Sequence, residues 1–355
     1  MRKSLIITCA RAVIGLQVIA LAPAKLAFAG DQLTITAFGG AVQTSQRKAF
    51  FEPFSKATGI KIIEDEYNGE VAKIRAMVET KTVSWDVVDT AAGGGFMQMC
   101  ADGIIEKIDW NKLGLDRAKF LANDKLDCGV PTIAAATIIA YDKDKLPNSP
   151  KTIADLFDVQ KFPGKRGLIK DPWGNLEWAL IADGVAVKDV YKVLGTPEGV
   201  DRAFRKLDAI KKDVVWWTAG AQPPQLLADG QVVMTAAYNG RIYDAVKNSG
   251  KHFEIMWDAA LLAWNAWVIP KGGPRRDDAY KFIAFAASPQ AQANQTRYIP
   301  YAPGNTDAMA LVDPAILPNL PTAPEHMGNA ILTDPTFWAE KGAELRPRFT
   351  AWLAK

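Results

Sequence analysis

The chain has 355 residues, 49% of them hydrophobic and 23% charged, with 42 Lys and Arg against 39 Asp and Glu. Its formal charge of +3 comes from the first 29 residues, which hold Arg2, Lys3, Arg11 and Lys25 and no acid; without them the charge is −1, and no basic stripe for nucleic acid remains. Two histidines, His252 and His326, are too few for a histidine-rich metal centre or an imidazole-based triad.

At the start of the chain, two cations precede an apolar stretch, and Ala27-Phe28-Ala29 precedes Gly30. This is the layout of a secretory signal peptide over residues 1–29, cleaved near Ala29. Cys9 lies inside the apolar stretch and not at the cut, so the expected product is soluble, and Arg11 interrupts the run too early for a spanning helix. The remaining stretch, about 325 residues, exceeds a single ordinary core and points to about two domains. Cys100 and Cys128 survive cleavage. In an exported chain they point to a disulfide, the alternative being two buried free thiols.

LTITAFGG reads as a strand running into a glycine turn, and Phe50, Phe51 and Phe54 recur at helical spacing until Gly59. A strand over 61–67, a helix over 71–80 and a strand over 86–96 follow, the last ending in a second glycine turn. The order strand, helix, strand, helix, strand describes a parallel α/β sheet. A strand at 132–141 precedes a second round of alternation. RGLIKDPW (166–173) is a strand whose end carries Asp171 and Trp173, followed by the helix NLEWALIADG. Thr196-Pro197 caps the next helix, and VVWW and VVMTAAY are further strands, the latter ending at YNGR. LLAWNAWVIPKG (261–272) is an apolar strand, 276–287 an amphipathic helix, and Ser288-Pro289 starts another. The tail has Pro-initiated segments at Asp313-Pro314 and Asp334-Pro335 and ends in a short helix.

Ligands of open α/β sheets sit beyond the carboxyl ends of the strands. The strand ends here are Phe38-Gly39-Gly40, Ala91-Ala92-Gly93, Asp171-Pro172-Trp173, Tyr238-Asn239-Gly240-Arg241, Trp264-Asn265 and Tyr301. Gly40 and Gly93 open helices whose N–H groups suit a carboxylate, although glycine turns also serve simply to reverse the chain. Trp173 and Trp264 lie beside polar residues, where an aromatic face can hold an ammonium or the methylenes between two charges. Trp267 alternates inward as core. Arg241 carries a permanent charge and binds carboxylates bidentately. In a second reading it lies on a helix surface and pairs with Asp244 or Asp229.

FEPFSKATGIKI, GIIEKIDWNKL, YNG, WVIPKGG, AYKFIAFAASPQAQ and YIPYAPGN follow one another in an order that resembles the periplasmic solute-binding proteins of ABC importers for spermidine and putrescine. The resemblance spans essentially the whole mature chain. It implies an α/β, two-lobed Venus-flytrap receptor, each lobe a mixed, mainly parallel sheet flanked by helices, that closes by hinge motion and docks on an inner-membrane permease. Lobe 1 would comprise 30–139 plus 265–312 and lobe 2 140–264 plus 313–355. The strands at 132–141 and 261–269 lie where crossings between lobes are needed.

The resemblance also sets the ligand question. Tyr238 stands where the polyamine receptors carry an aromatic, and Asp171 matches one of their acids. A second acid falls on or near Gly174 or Asn175, and a third on Asn265, so two anionic partners are lost. One acid, one arginine and aromatic walls suit a zwitterion with separated charges, such as γ-aminobutyrate, with its amine near Asp171 and its carboxylate near Arg241. A polyamine is the alternative. The expected protein is a monomeric periplasmic carrier without cofactor or metal, and not an enzyme; the chain has no G-x-S-x-G elbow. An iron receptor would draw on Tyr238, Tyr243, Tyr298 and Tyr301, which lack an adjacent acid cluster.

Overall fold

The computed structural model describes residues 32–121, 126–146 and 148–355; the expected signal peptide lies outside them. Among the described residues no helix is long and apolar enough to cross a membrane. The first strand is β1 (Gln32–Ala37), and the glycine turn opens α1 (Gly40–Gln46), which continues through a wider turn at Arg47–Phe51 into α2 (Glu52–Thr58). Gly39 and Gly40 both take positive φ, 61° and 58°, where a side chain is strained, so this reversal needs glycine. β2 (Lys61–Glu66), α3 (Val71–Glu79), β3 (Val87–Ala91) and α4 (Gly94–Ala101) complete the first set, and the single turn α5 (Trp110–Leu113) follows. The third strand is thus shorter than the 86–96 run, because Gly94 already belongs to a helix.

Next come β4 (Val130–Asp142), α6 (Ile153–Phe157), β5 (Arg166–Ile169), α7 (Asn175–Ala182) and α8 (Val190–Leu194). Thr196 caps α9 (Pro197–Asp208) as expected, its hydroxyl accepting from the Gly199 N–H at 3.1 Å. β6 (Val214–Trp217), α10 (Gln222–Ala228), β7 (Met234–Tyr238) and α11 (Asn239–Ser249) lead to β8 (Phe253–Val268). After α12 (Arg276–Ala286), α13 (Pro289–Thr296), the short β9 (Ala302–Pro303), α14 (Pro324–Met327) and β10 (Ile331–Leu332), the chain ends in α15 (Pro335–Leu353). That last helix has 19 residues and is not short. Asp334 caps it by accepting from the Thr336 and Phe337 N–H groups.

The strands form one mixed sheet in the order β2-β1-β3-β8-β4-β7-β5-β6, with β10 on β8 and β9 on β4. β1 is parallel to β2 and β3, and β5 is parallel to β6 and β7. The first alternation, β2-β1-β3, is parallel as read, and the joins of β8 to β3 and β4, and of β4 to β7, are antiparallel, so the sheet is mixed as expected. β8 carries the join. Leu261 to Trp267 pair with the first part of β4, Phe253 to Met256 with its last part, and the residues between bulge out. Ala259 sits in that bulge with φ 54°, and its carbonyl accepts from the Trp178 indole at 2.8 Å.

Two groups of apolar cores lie on either side of the bulge. One contains Leu33, Phe50, Phe54 and Phe282 around Trp267, which is fully buried as its inward alternation predicts. The other contains Leu168, Trp178, Phe204, Trp217 and Phe349. β4 gives Val130 to the first and Ile139 to the second, and β8 gives Trp267 and Met256. Burial of each such aromatic contributes about 2–3 kcal/mol. Cys100 and Cys128 form a disulfide, with a Cα–Cα distance of 5.7 Å, that ties the end of α4 to the approach of β4.

Candidate functional site

The carboxyl end of β7 organises the site. Its last residue is Tyr238, and α11 begins at once, so Arg241 points back from the first helical turn. Tyr238 is crowded on three sides: its ring lies 6.3 Å from that of Trp217, a Cβ on Gly220 would lie 2.7 Å from it, and it packs with Trp173 against the same core. Burial pushes its phenol above the ordinary range, while Arg241 pulls it down and Asp171 pushes it up. The two charges expected to read a zwitterion therefore act with opposite sign on one hydroxyl.

Arg241 is buried, with 6% of its surface exposed. Its Nη2 donates to the carbonyls of Phe38 (2.9 Å) and Gly39 (3.2 Å), and Nη1 sits where a Cβ on Gly40 would be only 2.6 Å away. Among the described residues no carboxylate comes within ion-pair distance. Asp229 and Asp244 accept instead from Gln225 (2.6 Å) and Asn248 (2.8 Å). The surface ion pair of the second reading is thus absent, and the arginine spans from α11 to the β1–α1 turn. A cavity of about 210 Å³ opens beside it, lined by Gly40, Ala41, Pro224, Gln225 and Asp244.

Gly40 is exposed, but the neighbouring Gly39 N–H is taken by the Gln43 side chain at 3.2 Å. Gly93 caps α4 and has open space where a side chain would be. Asp171 is half-buried; its Oδ1 accepts from the Trp173 N–H at 2.9 Å and its Oδ2 from Arg346 at 3.2 Å. Its negative charge is therefore partly answered from within the chain. Trp264 packs near Phe38 on one face of the sheet, and its carbonyl accepts from the Ala92 N–H at 2.7 Å. Asn265 points to the opposite face, in register with Ala91, and donates to Asp89. Tyr301 is buried against Gly240 and Ile299, its hydroxyl raised by burial, lowered by Arg241 and raised by Asp89. Of the four tyrosines of the iron reading, Tyr238 and Tyr301 share this cluster, whereas Tyr298 is 37% exposed under Lys48. Among the described residues no group of three His, Cys, Asp or Glu side chains is placed to hold a metal ion.

Sequence reasoning named the Phe38-Gly39-Gly40 turn but passed over two contributors, Asp89 and Glu177. Phe38 supplies a carbonyl to Arg241, and its ring lies tilted at 5.1 Å from that of Tyr67, whose hydroxyl donates to the Asp89 carbonyl. Asp89 is fully buried under α1, accepts from Gln46 at 2.7 Å, and is pushed by burial up to about 7. Glu177 is likewise fully buried and pushed up to about 7, behind the Asp171–Gly174 turn. The available signal was an acid inside an apolar run, VVDTA and NLEWAL.

A mixed α/β sheet with buried donors, carboxylates and aromatics gathered at its strand ends is the architecture of a solute receptor. Residues 49–324 match the family model of bacterial extracellular solute-binding proteins, and the chain belongs to that family. It is 45% identical to the gamma-aminobutyric acid-binding protein of Pseudomonas aeruginosa, over 96% of each chain. It is 25% identical to the spermidine/putrescine-binding periplasmic protein of Salmonella typhimurium, over 75% of this chain and 76% of that one. Among solved structures it resembles the Atu4243-GABA receptor, with a TM-score of 0.79 and 37% identity over 91% of this chain and 98% of that one. MotA from A. tumefaciens B6, in complex with glucopine, gives 0.84 and 32% over 91% and 99%. The relatives are binding proteins, and the chain is a small-ligand carrier of the kind that works with an ABC permease.

Proposed function

We propose that the chain captures a small zwitterionic ω-amino acid such as γ-aminobutyrate in the periplasm and releases it to an inner-membrane ABC permease. Arg241 carries this reading: a buried guanidinium at a strand end, facing no carboxylate of the described residues, is matched by a ligand carboxylate. Asp171, acting on the same Tyr238 hydroxyl with opposite sign, supplies the attraction for the amine, and the faces of Trp173, Trp264 and Tyr301 enclose the methylenes. A diamine needs an acid at both ends, and Asn265 is neutral. The names of the 45% identical relative and of the GABA receptor support the same ligand class.

The reading is non-catalytic, since the groups around Tyr238 are donors, acceptors and aromatic faces and none is a nucleophile paired with a base. The signal peptide 1–29 is cleaved, and the product acts as a monomer. Lobe 1, 30–139 plus 265–312, and lobe 2, 140–264 plus 313–355, close about β4 and β8. The bulge at Ala259 and the two separate core groups support that division. The bonds from Arg241 to Phe38 and Gly39 then latch one lobe to the other.

Calorimetric titration of the mature protein with γ-aminobutyrate, putrescine and spermidine tests the reading. Binding of γ-aminobutyrate well above either polyamine is expected. Tight spermidine binding with none of γ-aminobutyrate overturns it.

A further inference from the structure

Glu177 occupies the third position of α7 and is fully buried. Its Oε2 accepts from the Gly174 N–H at 2.8 Å, and its Oε1 accepts from the Trp338 indole at 2.9 Å and the Tyr191 hydroxyl at 3.1 Å. One carboxylate thus gathers three donors from three elements: the turn before α7, helix α15 and helix α8. Gly174, at φ 81°, closes the turn that carries Asp171 and Trp173. Trp338 reaches further. A Cβ on Gly94, the first residue of α4, would lie 2.5 Å from its carbonyl carbon and 2.6 Å from the Ala339 nitrogen, so α15 and α4 meet backbone to backbone at that glycine. The same helix sends Arg346 to Asp171.

We propose that Glu177 is a positioning residue for ligand capture: its carboxylate pins the 171–174 turn to α15 and, through Trp338, to the amino end of α4, so that Asp171 and Trp173 meet the ligand in one geometry. The inference rests on the ligand reading above for its affinity arm alone. The titratable group facing Glu177 is Tyr191 from α8, which is itself bonded by the backbone of Asp334, the cap of α15; Arg346 of α15 is engaged with Asp171 on the turn. Burial pushes the Glu177 carboxyl up to about 7 against the pull of its hydrogen bonds, those from Trp338, Gly174 and Tyr191 among them. Above that pH the carboxylate accepts from all three. Below it, the added proton turns one acceptor into a donor that faces donors, and the turn loses a restraint.

Two measurements on the mature protein test this. In ligand-free protein, the indole N–H resonance of Trp338, assigned by its absence in Trp338→Phe, is expected to titrate with a midpoint near 7 and to stay still in Glu177→Gln. In calorimetry, γ-aminobutyrate is expected to bind roughly tenfold more tightly at about pH 8 than at about pH 6, and Glu177→Gln to bind roughly tenfold more weakly at pH 8 with no such dependence. A Trp338 resonance that does not move between those pH values overturns the proposal, and so does Glu177→Gln with unchanged affinity and pH profile. Absence of γ-aminobutyrate binding by the unsubstituted protein would sink the ligand reading, and the indole titration alone would then decide for Glu177. Should Glu177→Gln not fold, Tyr191→Phe is expected to raise the Trp338 midpoint by removing a donor to the ionised form; an unchanged midpoint overturns the proposal.

Discussion

Arg241 does two things with one planar group. Nη2 is committed to the Phe38 and Gly39 carbonyls, while Nη1 packs against Gly40 and Nε lies near Gly220 beside the Tyr238 ring. The two glycines let the guanidinium and that ring approach the backbone closely. Arg241→Ala removes both the charge and the link to the β1–α1 turn. It is expected to weaken γ-aminobutyrate binding by about 3 kcal/mol, roughly 100-fold, and any putrescine binding, which loses only the link, much less. Equal loss of both ligands would mean that the arginine supports the fold and does not read the ligand. Gly40→Ala approaches the same point from the other side. A methyl group at φ 58° is strained and displaces Nη1, so affinity falls by about tenfold while the thermal midpoint moves little.

Elements were more legible than their ends. The strand–helix alternation, the Thr196 cap and the inward Trp267 all follow from periodicity and turn chemistry. The disulfide also follows from the sequence. By closing a separation of 28 residues, it is expected to contribute about 3 kcal/mol, so reduction or Cys100→Ser with Cys128→Ser lowers the melting temperature by roughly 4–5 °C; a shift below about one degree would show that the crosslink constrains little. The first half of β8 escaped notice for a physical reason. FEIMWDAA contains a bulge with Ala259 in the left-handed region, which breaks the two-residue alternation that marks a strand. That Arg241, Tyr238 and Asp171 stand at strand ends was readable, because those positions follow from topology. Glu177 and Asp89 did not stand out, since an acid in sequence looks solvated and only tertiary packing buries it. The partnership of Asp171 with Arg346, 175 residues apart, was equally beyond sequence reading.

At the scale of the whole molecule, three carboxyls raised by burial, Asp86, Asp89 and Glu177, give folding an unusual pH dependence, the last two most strongly. Asp89 moves from its ordinary 3.8 to about 7, and Glu177 from 4.5 to about 7. Between the ordinary and the raised value, the folded chain holds a proton that the unfolded chain has released. Stability from these groups is therefore fully present at low pH, falls as pH rises through about 4 to 7, and levels off above. Glu254 acts in the opposite sense. Hydrogen bonds from Lys143 and Tyr141 hold it below its usual range, so its contribution is lost only as pH falls below that range. The window from about pH 5 to about pH 8 thus reports on the raised carboxyls, with Asp89 and Glu177 reaching furthest into it. In that window, urea unfolding of the unsubstituted protein is expected to lose stability with rising pH. Asp89→Asn, which keeps an acceptor for Gln46, is expected to lose less and to be the more stable of the two at about pH 8. A variant whose stability tracks the unsubstituted protein across the window would show that the charge of Asp89 is already compensated in the fold. The low-pH advantage would then have to come from Glu177 and Asp86, which Glu177→Gln in the same titration separates.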